Sequence, residues 1–284
     1  MFKRIEWSVI LMGGLSVDES KCTKCGLCAK VCPADAIEPD DFGFPQISER
    51  RRGRCIECGQ CVVFCPAGAD MLSFMDAEKV VSAADIETPS PDAALNFLKT
   101  RRSVRRFKDE PLPRGTFDKI FDAVSQAPSA VNLQPVRWIV TETPEKTKEA
   151  ANLILCWFRE LIFKNPTSRA ALLGAAMIAK AKSGEDGLLR GAPHVAAAVV
   201  PKEHRWPEDG TIALTYLELA AHALGVGCCW GGYFTTAARN FAPLRDFLGI
   251  KEEEYICGAQ MMGLPQLRPV RQYPARRKAE INWL

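Results

Sequence analysis

The sequence predicts an α+β protein in two parts, and three observations carry that reading. The first quarter of the chain holds two cysteine runs, CTKCGLCAKVCP from Cys22 to Pro33 and CIECGQCVVFCP from Cys55 to Pro66. A polar stretch with two prolines, Thr88-Pro-Ser-Pro-Asp92, then breaks regular structure. Beyond it, apolar strands alternate with long amphipathic helices, the pattern of a mixed helix-and-sheet layer. At 284 residues the chain can bury a sizeable core. Its composition, 47% hydrophobic and 25% charged with net charge +3, is that of a soluble globular protein and too mild to imply nucleic acid.

The N-terminal segment raises a signal-peptide question, because Lys3 and Arg4 precede the apolar run Trp7 to Leu15. Glu6 interrupts that flank and no Ala-x-Ala site follows, so residues 7–11 read better as a short strand. No apolar run approaches the ~20 residues of a membrane span. Eight of the twelve cysteines sit in the two runs, and Cys156, Cys228, Cys229 and Cys257 are scattered through apolar sequence. That usage favours a reducing compartment, and a cytoplasmic location is expected.

Each cysteine run has the spacing C-x2-C-x2-C-x3-C-P. A 4Fe–4S cube needs four thiolates converging from different directions, and three closely spaced cysteines on a loop can wrap one cube. The fourth, followed by proline, starts a helix pointing elsewhere. Residues 1–75 resemble a bacterial-type two-cluster ferredoxin, in which the fourth cysteine of each run serves the other cluster. Carried over, the resemblance implies one cube on Cys22, Cys25, Cys28 and Cys65, and a second on Cys55, Cys58, Cys61 and Cys32. Gly26 and Gly59 suit the tight loop. A structural zinc site is the competing reading, but zinc uses two separated C-x2-C pairs and has no need of a third cysteine at the same interval. The Arg50-Arg-Arg-Gly-Arg54 run reads as a solvated face, with docking to an acidic electron-transfer partner as the alternative.

The expected domain boundaries are 1–75 for the cluster domain, 76–91 for a linker and 92–284 for the second domain. Ser90 or Asp92 can cap a helix running to Thr100. Helices are expected over 114–127, 144–164, 168–182, 210–225 and 236–248, and strands over 136–141, 194–201 and 254–262. The segment Arg101-Arg-Ser-Val-Arg-Arg-Phe107 follows the first helix. A charge run is usually a solvated face, yet hydroxyl, guanidinium and backbone donors together suit a phosphate monoester.

TRRSVRRF, APSAVNLQPVRW, AAHALGVGCCWGG and a C-terminal GLP…YPARRKAEINW occur in that order. On these motifs residues 92–284 resemble the nitroreductase-like FMN flavoproteins, and the whole chain resembles ferredoxin–nitroreductase fusions within that family. The resemblance implies an α/β FMN-binding domain. It assigns Arg101, Arg102, Ser103 and Arg105 to the FMN phosphate and ribityl chain, and Asn132 with its neighbour Gln134 to the flavin ring. It places Trp230, Gly231 and Gly232 along the ring's reactive edge, with a backbone N–H aimed at flavin N5. Arg276, with Arg277 as the alternative, would close on the phosphate. It also implies a homodimer with FMN between subunits and a tail, through Trp283, that wraps its neighbour.

Other features have plainer readings. Gly225-Val-Gly227 ends a helix instead of linking strand to helix, so no internal NAD(P)-binding domain is expected. Cys228, Cys229, Met261 and Met262 read as core, and His194 and His222 as structural. No acid, base or nucleophile is singled out as catalytic. The expected activity is an oxidoreductase that passes electrons from two 4Fe–4S clusters to FMN, and on to a small electrophile such as a nitroaromatic, quinone or activated alkene. A redox protein would serve as donor. The alternative is a relay module that exchanges electrons with a partner protein; a flavin-binding sensor is a third, minor reading.

Overall fold

The computed structural model describes residues 14–271 and 277–284. The expected strand at 7–11 and the assignment of Arg276 lie outside the described residues. The chain divides into two compact units, one of Met1–Thr88 with Val131–Leu133, the other of Pro89–Ala130 with Gln134–Leu284.

The first unit is an internal repeat with an offset of 33 residues. Strand β1 (Leu15–Val17) pairs antiparallel with β4 (Asp70–Leu72), and between them come helix α1 (Leu27–Val31), the short pair β2 (Glu38–Pro39) and β3 (Pro45–Gln46), and helix α2 (Gln60–Val63). Gly26 and Gly59 stand at φ 71° and 74° immediately before the two helices. Lys24 (57°) and Glu57 (52°), each two residues after the first cysteine of its run, are also left-handed. Non-glycine residues adopt that region rarely. Its recurrence in both repeats is what curls each loop around its thiols. A small core of Ile37, Val62 and Leu72 with Cys28 and Cys61 lies between the repeats.

The arginine run is braced from within. Arg50 and Arg51 pair with Glu38, Arg51 and Arg54 with Asp35, and Arg52 with Glu49. Arg50, Arg52 and Arg54 remain solvated while Arg51 is largely covered, and the charges face carboxylates of the same unit.

The second unit is built on a four-stranded sheet in the order β5 (Arg137–Val140), β6 (His194–Pro201), β8 (Glu254–Gly263), β7 (Gly227–Trp230), every neighbouring pair antiparallel. β6 is apolar without alternation because helices cover both of its faces. Val195, Ala197 and Val199 point to a core made with α5 (Pro144–Lys164), α8 (Gly232–Asn240) and α9 (Ala242–Phe247). Ala196 points to the other, shared with α4 (Arg114–Val124) and α7 (Glu208–Ala223). Helices α3 (Pro91–Thr100) and α6 (Arg169–Lys182) complete the unit; α6 packs on α5, where Gly174 lets the Phe158 ring approach so closely that a Cβ would lie 2.5 Å from it. Ser90 caps α3, its hydroxyl accepting from Ala93 N–H at 3.3 Å.

Two expected elements differ. The helix foreseen over 236–248 is two helices, because Pro243 has no N–H to continue the first and Phe241 turns extended at φ −134°. The stretch Gly227–Trp230, outside the expected strands, is an edge strand on β8. Its flanking glycines masked it, and one has a packing role: a Cβ on Gly227 would lie 2.5 Å from Val104. That close approach lets Val104 N–H bond Cys228 O at 2.8 Å, laying the arginine segment against the sheet edge.

His194 is structural, as expected. Fully buried, it accepts the Leu112 N–H at Nε2 (2.9 Å) and donates from Nδ1 to Thr141 O (2.9 Å). Burial holds its pKa below the ordinary 6.5. The folded form keeps the ring neutral while the unfolded chain takes up a proton below 6.5. Stability present above that pH is therefore lost as pH falls toward the folded value. The unfolding free energy from urea melts should drop between about pH 7.5 and 5.5, by at most about 1.4 kcal/mol per pH unit, and His194→Gln should flatten the slope.

Candidate functional site

In the first unit the structure gathers the eight cysteines of the two runs around two hollows. Cys22, Cys25, Cys28 and Cys65 line one hollow of about 340 Å³. Cys32, Cys55, Cys58 and Cys61 line a second, narrower one of about 20 Å³. All twelve cysteines are free thiols. Ala36 N–H points at Cys32 Sγ (3.3 Å) and Ala69 N–H at Cys65 Sγ (3.2 Å), so each fourth cysteine carries a backbone donor on its sulfur. Among the described residues no three Cys, His, Asp or Glu side chains are grouped for a single metal ion. Four soft sulfur donors per hollow, with N–H···S bonds, fit a 4Fe–4S cube. Burial pushes the Cys28 thiol up to about 11 and Cys61 up to about 12. Loading a cluster must therefore release protons, because the ligands are thiolates.

Asp70 is a residue that the motif reading missed. It lines the first hollow, is only 3% exposed, and its Oδ1 has no hydrogen-bond partner. Burial raises its pKa. Aligning the repeats puts Ile37 at the same position, so an apolar residue in one half faces a carboxyl in the other. The 33-residue offset was the signal that could have found it.

The second unit contains a cleft of about 670 Å³ whose wall includes Arg101, Arg102, Ser103 and Arg105. That size lies within the ~300–1,000 Å³ of cofactor sites. Arg106, Arg268 and His222 line it too, and none of the three was assigned. Arg101 is held by Glu218 on α7, whose other oxygen takes the Gln260 side-chain N–H at 3.4 Å. Gln260 Oε1 is buried without a partner. Helix α7 ends at the cleft with Gly225 at φ 72°; its N–H bonds His222 O (3.1 Å) and Val226 N–H bonds Ala221 O (2.9 Å), closing the helix C-terminus. The Gly225-Val-Gly227 stretch thus links helix to strand, the reverse of a dinucleotide fingerprint.

The remaining assigned residues lie outside that wall. Asn132 clusters with the first unit, where its side-chain amide donates to the carbonyls of Ile56 and Glu57, each at 3.1 Å. Gln134 lines a separate hollow of about 350 Å³ with Phe121, Trp138 and Asp209. Both belong to a turn in which Val131 (φ 44°), Asn132 (55°) and Gln134 (47°) are all left-handed. Such residues cost about 1–3 kcal/mol each and cluster where a ligand is gripped. Trp230 is exposed at the end of β7. Gly231 N–H is engaged by Ala259 O at 2.8 Å, so the donors at this place are the first-turn N–H groups of α8, beginning at Gly232. Gly258 lets the Trp230 ring approach: a Cβ there would lie 2.3 Å from it. Cys228, Cys229 and Cys257 are buried, and burial raises each thiol pKa, consistent with packing roles.

A family model described as the nitroreductase family matches residues 98–264, more than half of the chain. The chain belongs to the nitroreductase family. A 4Fe–4S dicluster domain model matches residues 21–69, so this nitroreductase carries that domain ahead of the family region. A protein of Archaeoglobus fulgidus named as an NADH dehydrogenase/NAD(P)H nitroreductase is 29% identical over 175 residues, 62% of this chain and 87% of that protein. A protein of the same name from Methanothermobacter thermautotrophicus is 28% identical over 177 residues, 62% of this chain and 78% of its own. An FMN-bound nitroreductase structure from Bacteroides fragilis superposes with a TM-score of 0.55 at 21% identity, covering 69% of this chain and 100% of that one. The nitroreductase is an oxidoreductase by family, of mixed helix-and-sheet fold. No helix among the described residues is long and apolar enough to cross a membrane.

Proposed function

We propose that this nitroreductase binds FMN in the arginine-lined cleft and two 4Fe–4S clusters on the crossed cysteine sets, and that it reduces a small electrophile with electrons delivered through the clusters. The observation that carries the reading is the cleft, where four residues assigned from one motif line a single wall with two further arginines. Guanidinium groups match phosphate oxygens two at a time. The FMN-bound state of the Bacteroides fragilis relative supports the choice of cofactor. When bound, FMN would exchange electrons singly with the clusters and deliver them in pairs to an acceptor.

The chain's own residues would bind and orient. Arg102, Ser103 and Arg105 would hold the phosphate, while Glu218 would fix the Arg101 guanidinium at the cleft wall. Asn132 and Gln134 would contact the ring, and Trp230 with the first N–H groups of α8 would border its edge. Arg276 or Arg277 would close on the phosphate. The cysteines would anchor the clusters, with Ala36 and Ala69 N–H steadying the crossed ligands.

A nitroaromatic, quinone or activated alkene is the acceptor class this reading favours, with a redox protein as donor and the cytoplasm as location. The boundaries of this proposal are 1–75 for the cluster domain, 76–91 for the linker and 92–284 for the flavin domain. A homodimer is supported by apolar side chains left in solvent: Leu95 and Leu98 on α3, and Ile281 and Trp283 in the tail. Anaerobic reduction with a low-potential donor tests the function. Reoxidation of the reduced flavin by small acceptors upholds the reading; reoxidation only by a partner protein replaces it with the relay.

A further inference from the structure

We infer that the buried pair His204–Asp209 is the clamp that holds the Pro128–Pro135 turn in the strained conformation from which Gln134 meets the flavin; this rests on the FMN reading above. Three of the four residues from Val131 to Gln134 have positive φ, and none of them is glycine. Val131 is β-branched, the residue type least suited to that region. A turn of this kind persists only where its surroundings over-determine it.

Two contacts of the second unit do so. Asp209, in the first turn of α7, accepts the Ala130 N–H with both carboxylate oxygens, at 3.2 and 3.1 Å. Ser129 Oγ accepts the Gln134 N–H at 2.9 Å, closing the far end. Asp209 is itself steadied, because His204 Nε2 lies 2.9 Å from its Oδ2, and both side chains are 6% exposed. The Trp206 ring meets the imidazole edge-on at 5.9 Å. A carboxylate this deep is costly unless its hydrogen bonds are filled, and the partners here are the turn and the imidazole. Asp209 therefore acts as a positioning residue and His204 fixes its orientation. The hollow beside them is lined by both Asp209 and Gln134, so the clamp and the residue it serves share one wall.

The test uses the full-length protein and FMN as the probe. Asp209→Ala should raise the FMN Kd about tenfold or more, the loss expected for a hydrogen bond to a charged group. It should also speed amide exchange at Ala130 and Gln134 in flavin-free protein. Adding Val131→Gly, which removes the left-handed penalty, should recover most of the lost affinity. Recovery separates positioning from general destabilisation, since a glycine in a loop repairs no core. Should Asp209→Ala not fold, His204→Leu is expected to weaken FMN while His204→Gln, which keeps a donor, stays near wild type. Wild-type affinity in Asp209→Ala, or no recovery with Val131→Gly, overturns the clamp. Failure of the unmodified protein to bind FMN overturns instead the reading on which the clamp rests.

Discussion

Cys65→Ser protein, reconstituted anaerobically, should lose about half its iron and sulfide, and the half it loses should be the cluster of Cys22, Cys25 and Cys28. Cys65 lines the hollow of those three, although it closes the other run in sequence. The measurement is an iron count with reduced-state EPR on Cys65→Ser, Cys22→Ser and Cys55→Ser. Cys65→Ser should reproduce the Cys22→Ser spectrum and combine with it without further loss. With Cys55→Ser the losses should add, leaving neither cluster. A Cys65→Ser spectrum matching that of Cys55→Ser would instead show uncrossed ligation, and the two hollows would then have to rearrange on loading.

The second large effect concerns the cleft. Arg105→Ala should weaken FMN about tenfold to a hundredfold, the range for one hydrogen bond to a charged group, while riboflavin, which lacks the phosphate, should bind as before. Arg105 suits the test because it is exposed and its hydrogen bond to Ser103 O is a long one, 3.5 Å, so its removal should leave stability within about 0.5 kcal/mol. Arg101→Ala is less clean, since it strands Glu218, whose side chain is 17% exposed. Fluorescence titration with both flavins decides the matter. Equal losses for FMN and riboflavin would mean that the arginines shape the cleft without reading phosphate.

Much of this was legible in the residues. The two cysteine runs pointed to thiol-lined sites, and the ferredoxin resemblance supplied the crossed grouping, with Cys65 beside the first run and Cys32 beside the second. Arginines and serine in TRRSVRRF pointed to one wall, since a segment only a few residues long cannot scatter its side chains far. Strand β6 was clear because an unbroken apolar run of seven residues, 195–201, has few alternatives. What escaped depended on neighbours distant in sequence. Asp70 belongs to no motif, and it is the pairing of β1 with β4 that buries it. Arg268 and Glu218 reach the cleft from other parts of the unit, and β7 is a strand only because β8 supplies its hydrogen bonds. His204 and Asp209 lie five residues apart in unremarked sequence, and the turn they hold becomes visible only through its backbone angles.

The arginines from Arg50 to Arg54 have a consequence for encounter. Each of the four already faces a carboxylate of its own unit, so the patch projects little field into solvent. A donor protein approaching it would not be drawn in from a distance, and its arrival rate should vary little with ionic strength. Productive meetings there would be selected by shape once the surfaces touch.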